Sequence, residues 1–297
     1  MTTPYPFQTL RDLLRFAVSR FNQAHLAFGH GNANAYDEAA YLLLHALHLP
    51  LDTLEPFLDA RLTDAEIQTL LTLIERRAGD RLPAAYLTGE AWMHGYRFTV
   101  DPRVIVPRSL IGELLVQQLS PWVSRPDNVH NVLELCTGSG CLSIIAADMF
   151  PDADIDAVDL SADALQVAER NVGDYGLQDR ITLYEGDLYA PLPAGRKYDL
   201  IITNPPYVNA ESMAALPPEY RHEPEMALAG GHDGMDLVRS IIEQAREHLS
   251  DDGLLIVEIG NERAHAEAAF GGLDLVWLPT SAGDDAVFLI HAADLPD

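Results

Sequence analysis

Apolar residues recur three and four positions apart through roughly the first 80 residues, which is the spacing of one helix face. The first stripe comprises Leu10, Leu13, Leu14, Ala17, Val18 and Phe21. A second helix is predicted from about Tyr36 to His48, and a third begins where Thr63 and Glu66 form a capping box. The region holds no catalytic constellation, so we interpret it as a small helical module for substrate recognition.

The pattern changes between about Pro83 and Pro107, where apolar positions alternate with polar ones. The alternating residues are Trp92, Tyr96, Phe98, Val100, Val104 and Val106. His94-Gly95 and Asp101-Pro102 supply turn signals. One or two short β-strands are therefore predicted to link the helical module to the rest of the chain.

Strand and helix patterns alternate from about Val129 onward, which predicts a largely parallel sheet covered by helices on both faces. The predicted strands are Asn131–Leu135, Asp154–Val158, Ile181–Tyr184, Leu200–Thr203, Leu254–Ile259, Leu273–Leu278 and Ala286–His291. The first predicted helix follows the Gly-rich turn after the first strand and ends at about Met149. Two others run from about Ser161 to Tyr175 and from roughly Asp236 to Leu249. The last two strands have no helical pattern between them, so an antiparallel hairpin is expected.

The predicted fold class is thus α/β. A Rossmann-like domain is expected at residues 109–297, a small helical domain at residues 1–83 and a β-hairpin linker at residues 84–108. Hydrophobic residues make up 48% of the 297 positions, which is enough for a sizeable core. No apolar run approaches the roughly 20 residues that span a bilayer, and residues 1–20 do not resemble a secretory signal. Cys136 and Cys141 fit buried reduced thiols, so a cytoplasmic protein is expected.

Acidity is the informative bulk property, because 45 Asp and Glu against 19 Lys and Arg give a formal net charge of −26. Such a surface repels nucleic-acid phosphates, so direct nucleic-acid readout is not expected. The same charge attracts a basic protein partner. Acidity that serves solubility alone, or adaptation to salt, is the alternative explanation.

Residues 134–141, read as Glu-Leu-Cys-Thr-Gly-Ser-Gly-Cys, lie between the first strand and the first helix of the α/β region. Ligands bind at the carboxyl ends of strands in such sheets, and glycines there let the backbone approach a ligand closely. Asp159 ends the second strand 21 residues beyond Gly138, where a carboxylate suits ribose hydroxyls. These features indicate an adenosine-containing cofactor. A structural turn with an N-capping aspartate is the alternative, since Ser143 replaces the third glycine of a dinucleotide fingerprint.

Two further motifs follow the third and fourth strands. Asp187 is a candidate acceptor for an adenine amino group, or else a solvated loop residue. Asn204-Pro205-Pro206-Tyr207 is more specific, because the Asn204 side-chain oxygen and the Pro205 carbonyl can each accept one N–H of a planar NH2 group. The two prolines preorganise these acceptors, and Tyr207 can pack on the flat group. A simple proline turn is the alternative.

Metal and hydrolase chemistry are not expected. His45 and His48 share a predicted helix, yet no carboxylate or cysteine completes a ligand set with them. Ser139 and Ser143 lack the sequence of a nucleophile elbow. The candidate chemistry therefore rests on the glycine loop and the Asn-Pro-Pro-Tyr motif.

The glycine loop, Asp159, Asp187 and Asn-Pro-Pro-Tyr together resemble the class I methyltransferases that modify planar amino groups. Enzymes acting on adenine and enzymes acting on the glutamine amide share that pattern. The segments at residues 85–90 and 106–109 resemble the hinge of the protein-glutamine methyltransferases, and residues 222–225 fit the same family. The resemblance covers nearly the whole chain.

Departures from the release-factor branch narrow this resemblance. That branch typically has Pro-Arg-Pro-Glu-Thr-Glu at the hinge and Gly-Thr-Gly-Ser-Gly in the loop. This chain has Ser109 after Pro107-Arg108, Cys136 in place of the first glycine, and Phe28-Gly29-His30-Gly31 in the helical module. These features resemble those of the branch that acts on protein three of the large ribosomal subunit.

The resemblance implies S-adenosylmethionine as the cofactor and a glutamine of a basic ribosomal protein as the substrate. It implies that Asn204, Pro205, Pro206 and Tyr207 hold the glutamine amide and that Arg108 lies near the substrate. The cofactor-binding residues that it implies are Glu134, Cys136, Thr137, Gly138, Gly140, Asp159, Leu160, Asp187, Leu188 and Asn204. A release-factor methyltransferase, an adenine methyltransferase and a non-catalytic binding protein on the same fold remain open alternatives.

Overall fold

The chain divides into two compact units in a computed structural model that describes residues 6–296. Unit 1 comprises the residues up to Ala91 together with Pro217–His222. Unit 2 comprises Trp92–Leu216 and Glu223–Asp297. The chain therefore leaves unit 2 after Leu216, contributes one short segment to unit 1 and re-enters unit 2 at Glu223.

Unit 1 is helical. Its helices are α1 (Leu10–Gln23), α2 (Ala35–Ala46), α3 (Asp64–Gly79) and α4 (Ala84–Thr88). The predicted capping box of α3 is confirmed, because the Thr63 hydroxyl accepts from the Glu66 amide and the Glu66 carboxylate accepts from the Thr63 amide. The sequence does not predict α4, since five residues are too few to show a helical period.

The apolar core of unit 1 joins the three long helices. Its fully buried members include Leu13, Ala17, Phe21, Leu42, Leu43, Ile67, Leu70 and Ile74. The stripe predicted for the first helix thus faces this core, apart from Val18, which is only partly buried against it. Burial of these side chains at about 25 cal/mol per Å² of apolar surface is the main stabilising contribution in unit 1.

A buried ion cluster lies beside this core. The Arg77 guanidinium, which is fully buried, donates through Nε to Glu38 Oε1 at 2.5 Å. Glu219, also fully buried, lies in the segment that returns from unit 2, and its Oε1 accepts from Arg81 Nη1 at 2.8 Å and from the Ala27 amide at 3.1 Å. Arg77 Nη1 lies 3.7 Å from the same Glu219 oxygen. The returning segment thus supplies a counter-charge that two arginines of unit 1 share.

β1 (Glu90–Met93) and β2 (Tyr96–Thr99) form a two-stranded sheet around the predicted His94-Gly95 turn, and the division between the units falls within β1. Residues 100–107 are not strand, although Val100, Val104 and Val106 are buried. Alternation in that stretch therefore reflects packing of one side of the chain rather than strand pairing.

Unit 2 is built on one seven-stranded sheet. Its strands are β3 (Asn131–Leu135), β4 (Asp154–Asp159), β5 (Ile181–Glu185), β6 (Tyr198–Thr203), β7 (Leu249–Glu258), β8 (Val276–Trp277) and β9 (Val287–His291). Its helices are α5 (Ile111–Val116), α6 (Cys141–Met149), α7 (Ala162–Asp174), α8 (Ala210–Ala215), α9 (Asp236–His248) and α10 (Arg263–Phe270). No helix within residues 6–296 is both long and apolar enough to cross a membrane.

The strand order is β5-β4-β3-β6-β7-β9-β8. Strands β3 to β7 are parallel to their neighbours, whereas β9 runs antiparallel to β7 and β8 antiparallel to β9. The predicted α/β class, largely parallel sheet and closing hairpin are confirmed. The chain builds outward from β3 in one direction and then in the other, so β3 and β6 flank the switch point where such sheets bind ligands.

Two features of the last third of the chain differ from the prediction. A strand is predicted at Leu273–Leu278, but only Val276 and Trp277 pair, with Leu289 and Phe288 of β9. The helix α10 is not predicted, because alanines fill most of its apolar positions and carry little hydropathy contrast. Both errors come from weak local patterns that tertiary packing overrides.

Replacing Glu219 tests the buried ion cluster. Glu219→Gln is expected to lower the free energy of unfolding by about 3 kcal/mol, since it leaves the charges of the fully buried Arg77 and the partly buried Arg81 undercompensated. Urea denaturation followed by circular dichroism measures the change. Asp59→Asn is the matched control, because the side chain of Asp59 is 81% exposed where it pairs with Arg11. Equal effects of the two substitutions would contradict the assignment.

Candidate functional site

The site begins with the register of three parallel strands. Leu135 at the end of β3 lies opposite Thr203 at the end of β6 and opposite Val158 near the end of β4. The Thr203 hydroxyl donates to the Leu135 carbonyl at 3.0 Å, which fixes the two central strand ends to each other. The segments that begin at Cys136, Asp159 and Asn204 therefore leave the sheet side by side.

The glycine loop between β3 and α6 turns through left-handed backbone conformations. Gly140 has φ of +77°, and a Cβ there would lie 3.3 Å from the Ala168 Cβ of α7, so the position requires glycine for conformation and for space. Cys136 also has a positive φ, +58°, although it is not a glycine. Burial raises the pKa of the Cys136 thiol, which keeps it protonated and unreactive.

Glu134 supports this loop from beneath. Its carboxylate is 2% exposed and accepts from the Thr137 hydroxyl at 2.6 Å, from the Ser143 amide at 2.9 Å and from the Ser143 hydroxyl. Burial raises the pKa of the Glu134 carboxyl to about 7. The carboxylate is thus used mainly to hold the loop, and its direct contact with a cofactor stays a prediction.

Asp159 lies at the carboxyl end of β4 and faces the same loop. Its Oδ2 accepts from the Gly138 amide at 2.8 Å and its Oδ1 from the Ser161 amide at 2.9 Å. Each carboxylate oxygen has a further lone pair available for a ribose hydroxyl. Burial raises the pKa of the Asp159 carboxyl, and the two amide donors offset part of that rise. Leu160, directly after it, is 61% exposed.

A cavity of about 110 Å³ lies between these segments. Of the residues predicted from the sequence, its lining includes Cys136, Gly138, Asp159, Leu160, Asn204 and Pro206. Its lining also includes residues that sequence reasoning missed, namely Arg103, Pro224, Met226, Ala227 and Leu237. A smaller cavity of about 30 Å³ is lined by Arg108, Ser109, Glu134, Cys136, Thr137 and Asn204, among others. Asp187 is exposed in the loop after β5 and Leu188 is buried beside it, and their cofactor roles stay predictions.

Asn204 carries an unsatisfied acceptor. Its side-chain oxygen Oδ1 is buried, and within residues 6–296 it has no hydrogen-bond partner. Buried polar atoms are almost always paired, so an exception calls for an explanation such as a ligand. Pro205 is buried directly after it, and Pro206 lines the cavity. The motif thus presents an acceptor that is held in place before any donor arrives.

Glycines from two later loops hold Tyr207. A Cβ at Gly260 would lie 2.6 Å from Cε2 of the Tyr207 ring, one at Gly230 would lie 2.6 Å from the Tyr207 Cα, and one at Gly234 would lie 2.2 Å from the Tyr207 carbonyl oxygen. The Val208 amide donates to the Leu228 carbonyl at 2.8 Å, and the Gly230 amide donates to the Val208 carbonyl at 2.9 Å. Single glycines in loops gave no signal in the sequence, because their function depends on what packs against them.

Arg108, predicted to lie near the substrate, forms a bidentate ion pair. Its Nη1 donates to Glu223 Oε1 at 2.6 Å and its Nη2 donates to Glu223 Oε2 at 2.8 Å. The Glu223 side chain is fully buried, whereas that of Arg108 is 23% exposed. Glu223 Oε1 also accepts from the Val106 amide at 2.9 Å. The pair therefore links the hinge to the loop that carries Pro224 and Met226.

The next hinge residue binds a different buried carboxylate. The Ser109 hydroxyl donates to Glu258 Oε2 at 2.5 Å, and the Leu110 amide donates to the same oxygen at 2.9 Å. Glu258 ends β7 and is 3% exposed. Burial raises the pKa of this carboxyl to about 7 despite those donors. Glu258 thus satisfies the first amides of α5, where no side chain of the helix itself provides a cap.

The site fits an adenosine-containing cofactor. A glycine loop at a helix start, a carboxylate with spare acceptor capacity at the end of the next strand and an exposed leucine beside it suit a ribose and an adenine. These groups line one cavity with the Asn204 acceptor. When bound, S-adenosylmethionine supplies a methyl group on a positively charged sulfur. That these residues form its binding surface, and that Asn204 accepts from a second, NH2-bearing group, stays a prediction.

Two family models match the chain. Residues 12–89 match the PrmC N-terminal domain, and residues 112–216 match the methyltransferase small domain. The second match contains the glycine loop, Asp159 and Asn204. The chain therefore contains a methyltransferase domain. Together with the curated relatives described next, this match shows that S-adenosylmethionine is the methyl donor.

Curated relatives match along nearly their whole length. The chain is 70% identical to the ribosomal protein uL3 glutamine methyltransferase of Burkholderia pseudomallei, over 99% of this chain and 98% of that protein. It is 62% identical to the enzyme of the same name from Bordetella pertussis, over 97% and 96%. It is 57% identical to that of Neisseria meningitidis serogroup A, over 97% and 94%.

Solved structures support the fold. The hMettl16 catalytic domain in complex with MAT2A 3′UTR hairpin 6 superposes with a TM-score of 0.51 at 14% identity, over 77% of this chain and 81% of that one. At this level of identity the likeness shows the methyltransferase fold alone. It carries no argument about the acceptor.

Replacing Gly260 tests the packing of Tyr207. Gly260→Ala is expected to lower methyl transfer at least tenfold, because the new Cβ displaces the Tyr207 ring of the Asn-Pro-Pro-Tyr motif. Gly176→Ala is the matched control, since Gly176 also has a positive φ, +66°, but its Cβ would meet nothing within 4 Å. Each variant is expected to lose about 1 kcal/mol of unfolding free energy from left-handed strain. Equal losses of activity would refute a role for the contact with Tyr207.

Glu258 predicts a pH dependence of stability. Its pKa rises from 4.5 to about 7 on folding, so the folded protein binds this proton more tightly than the unfolded chain. The contribution of Glu258 is therefore fully present below about pH 4.5 and is lost as the pH rises to about 7. The free energy of unfolding of the wild type therefore falls between pH 5 and pH 8. Glu258→Gln is expected to make this fall smaller by about 2 kcal/mol. Urea denaturation at both pH values measures this, and Glu267→Gln, at an exposed side chain, is expected to leave the fall unchanged.

Proposed function

We infer the reaction of this chain from one premise: the chain belongs to the family of the ribosomal protein uL3 glutamine methyltransferases. We propose that it transfers a methyl group from S-adenosylmethionine to the side-chain amide nitrogen of a glutamine in ribosomal protein uL3. The reaction is proposed to take place in the cytoplasm, because ribosomal proteins are made and assembled there. The observation that carries the proposal is the buried, unpartnered Oδ1 of Asn204 at the switch point of the sheet.

The side-chain amide of glutamine can supply the hydrogen-bond donor that the Asn204 oxygen lacks. A primary amide carries two N–H donors in one plane, and the Asn204 side-chain oxygen and the Pro205 carbonyl are the two proposed acceptors. With both N–H bonds engaged, the face of the amide nitrogen is directed out of that plane. Tyr207, held by Gly260, is proposed to pack on the flat amide group. The amide is thereby oriented before it reacts.

Orientation is the main contribution that these residues make to the rate. An amide nitrogen is a poor nucleophile because its lone pair is delocalised, so preorganised acceptors must offset much of the barrier. As the new N–C bond forms, positive charge develops on nitrogen and strengthens both hydrogen bonds. The methylated nitrogen then releases one proton, and no strong base is required.

Charge supports a basic substrate protein. Unit 2 contains 33 acidic and 11 basic residues, whereas unit 1 contains 12 and 8. The catalytic unit therefore carries most of the negative charge of the chain. A field of this sign attracts a basic protein and repels nucleic-acid phosphates, which supports uL3 and counts against an RNA acceptor.

Transfer of a radiolabelled methyl group tests the substrate. Purified protein is incubated with labelled S-adenosylmethionine and, side by side, with uL3, with a peptide chain release factor and with ribosomal RNA. Label on a glutamine of uL3, located by mass spectrometry of peptides, is the expected result. Label on the release factor alone or on RNA alone would refute the proposed acceptor.

Asn204→Ala tests the role of the acceptor in the same assay. Turnover is expected to fall about 100-fold, the usual effect of losing one preorganised hydrogen bond to a reacting group. Cofactor affinity, measured by calorimetry, is expected to change by less than about threefold, since the glycine loop and Asp159 are intact. Asn128→Ala, at an exposed residue outside the site, is the control. Wild-type turnover in Asn204→Ala would contradict the proposed mechanism.

A further inference from the structure

The ion pair between Arg108 and Glu223 is more completely bonded than an ordinary surface pair. Both η nitrogens of Arg108 donate to Glu223, and Nη1 also donates to the Val106 carbonyl at 3.0 Å. The Val106 amide donates in turn to Glu223 Oε1 at 2.9 Å. The guanidinium, the carboxylate and the backbone of Val106 therefore form one network in which the Glu223 side chain has no exposed surface. Such bidentate, charge-assisted bonds restrict geometry strongly.

This network ties together two walls of the larger cavity. One wall is the stretch that contains Val104 and Ile105, just before Val106. The other wall contains Pro224, Met226 and Ala227, just after Glu223. Both walls lie in unit 2, as do Asn204 and the glycine loop. Arg108 itself lines the smaller cavity with Asn204 and Cys136.

The second wall depends on such anchors because it has little structure of its own. Glu225–Ala227 is a single turn of 3-10 helix, which is not stable in isolation. Met226 is 52% exposed, so few contacts hold its side chain. Two anchors flank the wall: the Glu223 carboxylate on one side, and on the other the Leu228 carbonyl, which accepts from the Val208 amide next to Tyr207. Releasing the first anchor frees a segment that is hydrogen-bonded to the end of the amide-binding motif.

We propose that Arg108 and Glu223 are positioning residues for methyl transfer, which together fix residues 224–227 as a wall of the cavity that Asn204 also lines. The proposal rests on the proposed function, because it assigns the wall to the site of the acceptor amide. Arg108 then acts through Glu223 and not by touching the substrate. Glu223 is fully buried and Arg108 mostly so, and because replacing such a pair is often neutral for stability, we expect the pair to contribute geometry more than stability.

The test is a double-mutant cycle in the full-length protein. Arg108→Lys keeps the positive charge but cannot bind both carboxylate oxygens, and Glu223→Gln keeps the shape but removes the charge. Each single variant is expected to lower kcat for uL3 methylation about 10- to 100-fold while changing the dissociation constant of S-adenosylmethionine by less than about threefold. The double variant is expected to lose no more than the worse single variant, because both substitutions break the same link. Arg263→Lys, at the exposed pair with Glu267, is the control and is expected to retain wild-type kinetics.

Hydrogen exchange supplies a readout that does not depend on the substrate. The amides of Val208 and Gly230, which bond across the loop, are expected to exchange faster in Arg108→Lys and in Glu223→Gln than in the wild type or in Arg263→Lys. Unchanged exchange in both variants would overturn the proposal. Losses of kcat that multiply in the double variant would overturn it too, since they mean that the two residues act independently. A rise in KM for uL3 in Arg108→Lys alone would instead indicate direct contact with the substrate.

The outcomes separate this proposal from the proposed function. If the wild-type protein leaves uL3 unlabelled, the proposed function fails. Exchange at Val208 and Gly230 still decides in that case whether the pair anchors the wall. If the wild type labels uL3 and both variants match its kcat, the proposed function stands and the positioning role is refuted.

Discussion

The buried side-chain oxygen of Asn204 needs a donor, and within the described residues it finds none. An unpaired buried acceptor costs roughly 1–3 kcal/mol, so a fold retains one only where the surroundings hold it firmly. Here the register of β3 against β6 fixes the strand end, Pro205 stiffens the backbone, and the close approach of Gly230, Gly234 and Gly260 holds Tyr207 at the end of the motif. A flexible loop would turn the oxygen toward water. Much of unit 2 can be understood as the scaffold that prevents this.

Buried carboxylates hold several loops in place at the carboxyl edge of the sheet. Glu134 holds the glycine loop, Glu258 holds the start of α5, and Glu223 joins the hinge to the cavity wall. Carboxylates suit this role because a single oxygen can accept from several donors, as Oε2 of Glu134 does from Thr137 and Ser143 and Oε2 of Glu258 does from Ser109 and Leu110. Their burial disfavours the charged form, and the raised pKa values of Glu134 and Glu258 follow from it.

The order of elements, the parallel sheet and the closing hairpin could be predicted because strands and helices have distinct local periods. The motif residues Gly138, Asp159 and Asn204 could also be predicted to meet, since parallel strand ends share one edge. The cavity wall at Met226 and the ion-pair partner of Arg108 could not be predicted. Glu223 lies 115 positions from Arg108, and no local pattern marks a loop acid as the counter-ion of a distant arginine. Contacts of that kind arise only from tertiary structure.

The distribution of charge bears on the prediction that the helical unit recognises the substrate. Unit 1 is nearly balanced, with 12 acidic and 8 basic residues, so long-range attraction of a basic protein must come mainly from unit 2. Electrostatic attraction falls off within about 8–10 Å at physiological salt and does not select one glutamine among several. Selection must therefore depend on short-range complementarity, which the helical unit can offer through shape. The segment that contains Glu219 belongs to unit 1 and continues directly into Glu223 of unit 2. A single stretch of chain therefore connects the unit that carries most of the negative charge to the helical unit.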